Sequence, residues 1–424
     1  MPTMADHGEA VELRAAAASG LMALTGRPEG PPLSPPSGLV HGLDALAGAI
    51  ASWTAEVGDA VAVDWAELLT VRARILGLQR QGRRSANGSC RLLRAPDGWV
   101  AVNLARPEDR DAVDAVARCN GGPDKWEVLE GMLEQCSGAE LVQRAQLLGV
   151  PAATLGTGDE VPRRPWSAHP YGERAGRRHP AGLSVVDLSS MWAGPLTAAL
   201  LARSGATVVK VESASRPDGA RAVPAFYQSL HAEDQPVVTL DFGTGQGRRR
   251  LRAMLDEADV VIESSRPRAL EQLGAGPGQV APRAGRVWVG ITGYGRAEPG
   301  RHWVAFGDDA AVAGGLVAWE DDAHPVFCGD AVADPVTGLS AAAGLFEALA
   351  GGGGVLLDVS LQAAAASLTA GHPRRPSTPA RRVGGTWQVI VDGQAMPVRG
   401  GGETAQPAPW TTDPATTVAA TASS

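Results

Sequence analysis

The sequence predicts an α/β protein: a large domain built on a doubly wound parallel sheet, with a smaller α+β domain attached. Three observations point there. Residues 183–212 read as strand, helix, strand, a βαβ unit that implies parallel pairing. Short β-branched runs keep alternating with a helical stretch as far as residue 292. Residues 90–104 differ: two apolar runs flank an Asp-Gly pair, the cue for an antiparallel hairpin.

Taken in chain order, residues 27–37 (RPEGPPLSPPS) form a loop by composition, and 60–78 read as a strand leading into a helix. The hairpin strands fall at 90–93 and 99–104, joined by RAPDG. Helices are expected at 109–117, 124–135 and 138–148, so that about 80–155 makes the small α+β domain. Residues 156–180 are rich in Pro, Gly and Arg without periodicity and read as a linker. The large domain is expected over 181–370. Its first strand is 183–188, and its first helix is 195–204, with Pro195 suited to an opening turn and Gly205 ending it. Strands follow at 206–212, 237–240, 260–263 and 287–292, with a helix at 247–258. From 371 to 424 an extended, partly disordered tail is expected.

Composition narrows the function. The chain has 424 residues, 44% of them hydrophobic, and a formal charge of −8, which argues against a general nucleic-acid binder. Only Lys125 and Lys210 among the 38 basic residues are lysines. Cys90, Cys119, Cys136 and Cys328 stand too far apart for a zinc or redox pair and read as reduced thiols. No His/Cys/Asp cluster has metal-ligand spacing, so no metal is expected. The acidic N-terminus lacks a signal-peptide pattern, and no apolar run of membrane length occurs. A cytoplasmic enzyme is the expectation, without nucleic-acid or membrane partners.

Two segments could carry chemistry. In 183–213 a strand ends at a Gly-Pro loop that opens a helix, and loop amides there can bind an anion such as phosphate. The spacing is not that of a dinucleotide fingerprint, and from the residues alone an ordinary strand-to-helix turn is the simpler account. In 328–344 (CGDAVADPVTGLSAAAG), Asp334 stands before Pro335 at a helix start, where a carboxylate most often only caps orphan amides. The chain also repeats itself weakly. SGLMALTG (19–26), an Ala/Gly-rich helix (42–54) and VAVDWAELL (61–69) recur in order as GGLVAW (314–319), a helix (338–350) and VLLDVSLQA (355–363).

Together these residues resemble the family III CoA-transferases, which include formyl-CoA transferase, carnitine CoA-transferase and α-methylacyl-CoA racemase. The resemblance rests on Asp187-Leu188-Ser189, Ala193-Gly194-Pro195, Ser204-Gly205-Ala206 and Lys210-Val211-Glu212. It continues through VTLDF (238–242), ADVVIESSRP (258–267), Gly293–Gly295 and the helix and strand at 338–361. It implies that Asp334 is the nucleophile that attacks an acyl-CoA thioester, with Asp330 the nearby rival. It implies coenzyme A as part of the substrate, a carboxylic acid as acceptor, and CoA contacts from Ala193, Gly194, Pro195, Arg216, Arg221, Ser264, Ser265 and Arg266. Ser264 and Ser265 stand where the family carries Asn-Phe.

Residues 80–113 and 141–155 resemble the family's small domain, and 19–54 resemble the region around the catalytic Asp, with Leu39-Val40-His41-Gly42 in its place. The resemblance therefore implies a permuted order, with residues 1–155 the later part of a family unit. A homodimer, or pairing with a related chain, is the implied assembly. Two other readings stand beside CoA transfer: racemisation at the α-carbon of an acyl-CoA, using Asp334 with His302, or a catalytically silent CoA-binding subunit.

Overall fold

The computed structural model describes residues 4–400, apart from 120, 123 and 373 and the segment 157–163. A helix at Met4–Ser19 is followed by α1 (Leu39–Val57) and α2 (Trp65–Leu76). Asp64 caps α2 by accepting a hydrogen bond from the Glu67 N–H, and Gly77 ends it in the left-handed region at φ 62°. Residues 61–64, expected as a strand, are not one. Val61 is buried, but no neighbouring strand offers it a ladder of hydrogen bonds.

The small α+β unit follows. Strands Cys90–Ala95 and Gly98–Asn103 pair antiparallel, with Ala95 opposite Gly98, and Ala152–Thr154 adds a third strand. Helices Lys125–Leu133 and Gly138–Leu147 cover one face, and their Leu129, Leu133 and Leu141 form a core with Val100 and Val102.

The large sheet has seven strands: β1 (Trp166–Pro170), β2 (Ser184–Asp187), β3 (Thr207–Ser213), β4 (Val237–Leu240), β5 (Val260–Glu263), β6 (Val287–Thr292) and β7 (Val355–Ser360). Their spatial order is β1-β7-β6-β5-β2-β3-β4. All neighbours run parallel except β1, which lies antiparallel on β7. The parallel strands β2, β5, β6 and β7 are apolar and largely buried, as strands covered on both faces must be. Helices α3 (Ala193–Arg203), α4 (Gly307–Ala313) and α5 (Ala333–Ala350) belong to this half.

Three expectations need correction. Residues 166–170, placed in a linker, form the edge strand β1; its exposed, Pro-ending sequence carries no alternation, and the edge position tolerates that. Residues 157–163 of that linker lie outside the described residues. The tail from 371 is not simply extended: Arg381–Val383, Thr386–Val391 and Gln394–Pro397 form a three-stranded antiparallel sheet. Val389, Val391 and Val398 bury their side chains in the main core, while 401–424 lie outside the described residues. Finally, α1 and α2 do not build a unit with the small domain. They pack into the large domain's core, where Leu39, Leu43, Ile50 and Leu69 join Leu196, Leu339 and Phe346. Among the described residues no helix is long and apolar enough to cross a membrane.

Candidate functional site

Beginning at β2, the chain winds outward through β3 and β4, then returns to the other side of β2 at β5. The sheet order therefore reverses between β2 and β5. In parallel sheets the crevice beyond the strand C-terminal ends, at such a reversal, is where ligands sit. The loops that leave β2 and β5 meet there: the Ser190 N–H donates to Ser264 Oγ at 3.0 Å.

A buried cation fixes this corner. Lys210, fully enclosed, reaches across from β3 with its Nζ 3.3 Å from Asp187 Oδ2, 3.0 Å from Asp218 Oδ2 and 2.6 Å from the Ser189 carbonyl. Burial opposes its charge, but Asp187 and Asp218 outweigh burial and raise its pKa above the usual lysine value. The two carboxylates in turn hold the loop, Asp187 accepting the Ser189 N–H at 2.8 Å and Asp218 the Met191 N–H at 2.9 Å. Met191 is thereby kept at φ 71°, a conformation few side-chain-bearing residues adopt.

The sequence-predicted CoA residues divide at this corner. Ala193, Gly194 and Pro195 open α3 and are buried. Gly194 is required by packing, since a Cβ there would lie 2.1 Å from Ser189 Cβ. Of the preceding loop, Ser190 is exposed and Leu188 and Met191 are half-buried. Ser264 and Ser265 are half-buried, and Arg216, Arg221 and Arg266 are exposed. Arg221 is already engaged: it forks onto Glu212 at 2.8–3.0 Å and lies 4.2 Å over the Tyr227 ring. Arg266 holds its proton less tightly than usual, first through partial burial and then through the positive charges of Arg268, Arg106 and Arg216.

That crowding belongs to an arginine-lined cavity of about 680 Å³ between the small domain and the loops after β5 and β6. Arg118 and Arg144 line it from the small domain, and Arg266, Arg268 and Arg301 from the large one. Arg144 and Arg301 are paired with Glu140 and Glu271. Arg118, Arg266 and Arg268 have no carboxylate within ion-pair distance among the described residues. Unpaired guanidinium groups around one cavity suit a phosphate-bearing ligand. His302 is an exposed wall residue of this cavity, its Nε2 3.1 Å from Glu298 Oε1.

Asp334 stands in the first turn of α5 and remains partly accessible. Its carboxyl is pushed up to about 7, mainly by burial, which Arg72 offsets, while Asp308 and Asp330 add repulsion and the Gly307 N–H lends a hydrogen bond. The approach of α4 is so close that a Cβ at Gly307 would lie 2.6 Å from Asp334 Oδ2 and 2.4 Å from the Ala331 carbonyl. Only glycine fits there. Asp308, the next residue, is buried and pushed up to about 6 by burial and by Asp330. It accepts the Ala331 N–H at 3.0 Å and the Asn87 amide at 3.2 Å. Asp309 is pushed up to about 8, chiefly by burial, and accepts the Asn103 amide at 3.0 Å. Asp330, the rival candidate, is fully buried and held by both arms of Arg72. It is committed to that pair, whereas Asp334, a partly accessible residue, has no cation within ion-pair distance among the described residues. The described residues include no group of His, Cys, Asp and Glu arranged to hold a metal ion.

Arg72, Asn87, Asn103, Arg118 and Arg144 were invisible to motif reading. All come from the first 150 residues: Arg72, Asn87 and Asn103 meet Asp330, Asp308 and Asp309 more than 200 positions away, and Arg118 and Arg144 meet Arg266, Arg268 and Arg301 only around the cavity, which no local spacing encodes.

Comparison with known proteins places these observations. Residues 181–386 match the family model described as CoA-transferase family III. An acyl-CoA transferase of Fusarium pseudograminearum is 29% identical over 189 residues, covering 40% of this chain and 41% of that protein. The succinyl-CoA:D-citramalate CoA-transferase of Chloroflexus aurantiacus is 28% identical over 175 residues, 39% of this chain and 44% of its own. The mouse succinyl-CoA:glutarate CoA-transferase is 26% identical over 256 residues, 56% and 58% of the two chains. The chain thus spans about half the length of the curated relatives it matches. A solved CAIB/BAIF family protein from Brucella suis is 25% identical, with a TM-score of 0.42 over 50% of this chain and 63% of that one. Over residues 181–386, which hold β2 to β7, the switch-point loops and Asp334, this chain is similar to CoA-transferase family III.

Proposed function

We propose that the protein moves CoA between an acyl-CoA thioester and a carboxylic acid, with Asp334 as the nucleophile. The observation that carries the reading is Asp334 itself: a carboxylate at a helix start, on a partly accessible residue, within the segment that matches family III. The ionised carboxylate attacks the thioester carbonyl, the C–S bond breaks, and a mixed anhydride and CoA thiolate result. The thiolate attacks the aspartyl carbonyl, releasing the donor's carboxylate and leaving an aspartyl-CoA thioester. The acceptor carboxylate attacks that thioester and expels the thiolate. The thiolate then attacks the acceptor carbonyl, and Asp334 leaves as a free carboxylate.

The arginine-lined cavity supports a place for the phosphates of CoA, with Arg266 and Arg268 facing Arg118 across it. Arg216, close enough to Arg266 to perturb it, extends the same positive surface. Ser190, Met191, Ser264 and Ser265 would line the entrance at the switch point. Arg221, paired with Glu212, serves the loop rather than the ligand.

We further infer that residues 19–69 are a second, catalytically empty copy of the unit at 314–363. Its helix α1 packs along α5, and Leu39-Val40-His41-Gly42 stands where the other copy has its Asp. Assembly as a homodimer, or with a related chain, belongs to the same reading.

Intact-mass measurement after incubation with a panel of acyl-CoA thioesters tests the proposal. An acyl or CoA adduct, discharged by hydroxylamine at Asp334 and absent in Asp334→Asn, is the expected result. No adduct with any thioester, and no CoA passed to any carboxylic acid, would sink it.

A further inference from the structure

We infer that Arg72, from α2 and outside the family-matched segment, is a positioning residue for the Asp334 carboxylate, locking the turn before Asp334 against the loop at the end of β2. This rests on Asp334 being the reacting group, as proposed above.

Both donors of the Arg72 fork go to one carboxylate: Nε is 2.8 Å from Asp330 Oδ2 and Nη2 is 2.5 Å from Asp330 Oδ1. The same guanidinium lies 5.0 Å over the Trp192 ring and 6.0 Å from that of Phe226. Trp192 is the residue from which α3 starts, directly after the Ser190–Met191 corner. One cation thus touches the turn four residues before Asp334 and the loop that would face the substrate. A planar fork that stacks as well as pairs is a property of arginine that lysine lacks.

The turn needs holding. Ala331 sits at φ 45°, in the left-handed region that penalises a side chain. It is gripped on both sides, by Asp330 in the Arg72 fork and by its own N–H on Asp308 Oδ1. The groups facing Asp334 are Arg72 from α2, Asp308 and the Gly307 N–H from α4, and Asp330 from its own turn. Three carboxylates therefore share one guanidinium. Asp330 takes its hydrogen bonds, and the remaining attraction falls on Asp308 and Asp334. Helix α2, which begins in the N-terminal copy and runs past it, supplies the counter-charge for the Asp334 turn.

The test follows the Asp334 carboxyl directly. Protein labelled with 13C at Asp side-chain carboxyls is titrated by NMR, with the Asp334 signal assigned by its loss in Asp334→Asn. In Arg72→Gln the Asp334 midpoint should rise by about one pH unit or more, because an opposite charge is removed. In Asp330→Asn it should fall, because a like charge is removed and the guanidinium is freed. Arg72→Lys should bring the midpoint back toward wild type. If Arg72→Gln does not fold, Asp330→Asn and Arg72→Lys carry the test. A midpoint that coincides with wild type in folded Arg72→Gln or Asp330→Asn, or that moves the same way in both, or one in Arg72→Lys that departs as far as in Arg72→Gln, overturns the inference. The titration needs no turnover. A wild type that forms no adduct therefore refutes the transferase reading without touching this result, and unmoved midpoints in an enzyme that forms adducts refute only the role of Arg72.

Discussion

As the proposed nucleophile, Asp334 would have to be ionised to attack a thioester, and its surroundings resist that. Burial raises its carboxyl to about 7, and Asp308 and Asp330 add to the resistance. The fraction ready to react therefore grows as pH rises through about 7 and levels off above it. The initial rate of adduct formation, followed from pH 5 to pH 9, should climb and then plateau. A rate that falls across that range would assign the nucleophile to another group. Asp334 could be singled out as a candidate from the sequence, because its neighbours Pro335 and Gly338 form a recognisable local context. Arg72 was not legible at all: its partner Asp330 is 258 positions away, and only folding brings a cation from one end of the chain to a carboxylate near the other.

The strand–loop–helix corner at 184–203 is the element most fully predicted by its own residues. Val185 and Val186 bury in the sheet, Pro195 falls in the first turn of α3, and Gly194 clears Ser189. What local sequence leaves open is why the loop holds a strained Met191. The answer comes from the next strand, where Lys210 pairs with Asp187 and Asp218. Replacing Lys210 with Met would leave two buried carboxylates without their counter-charge. We expect Lys210→Met to destabilise the fold by about 3–5 kcal/mol, read from urea unfolding at neutral pH. The folded-state pKa of Lys210 is raised, so its contribution is intact at neutral pH and is lost only as pH rises through that value. A variant as stable as wild type would mean that the loop is held by its backbone alone. The predicted strand at 61–64 and predicted linker at 166–170 fail for a matching reason. Whether a short extended segment becomes a strand depends on whether a partner edge is available, and β7 offers one to 166–170 while nothing offers one to 61–64.

At the level of the whole molecule, the first third of the chain is divided between two cores. The small domain has its own, around Leu133, Leu141 and Val102. Helices α1 and α2 instead complete the large domain by packing with α5, burying Leu39, Leu43 and Leu69 almost completely. Deleting residues 1–78 should therefore uncover one side of α5 and cost the large domain its cooperative unfolding, although the deletion spares the whole family-matched segment. Near-UV circular dichroism and dye binding to exposed apolar surface would read this. A truncated protein with native near-UV signal and a sharp melting transition would contradict it. The same packing delivers Arg72 to Asp330, so the architecture that stabilises the large domain also finishes its site.

The sequence by itself determined the parallel α/β core, the switch-point loops, the hairpin at 90–103 and the position of Asp334. Each of these is written in residues within about thirty positions of one another, as strand periods, turn glycines, Gly-Pro starts and helix openings. The tertiary structure alone decided which half of the chain closes the site, which carboxylates share a cation, and where unpaired arginines gather into a cavity. Those outcomes depend on burial and on charges meeting across 100 to 300 positions. Burial sets both the cost of each charge and its need for a partner, and it exists only once the helices and sheet have packed.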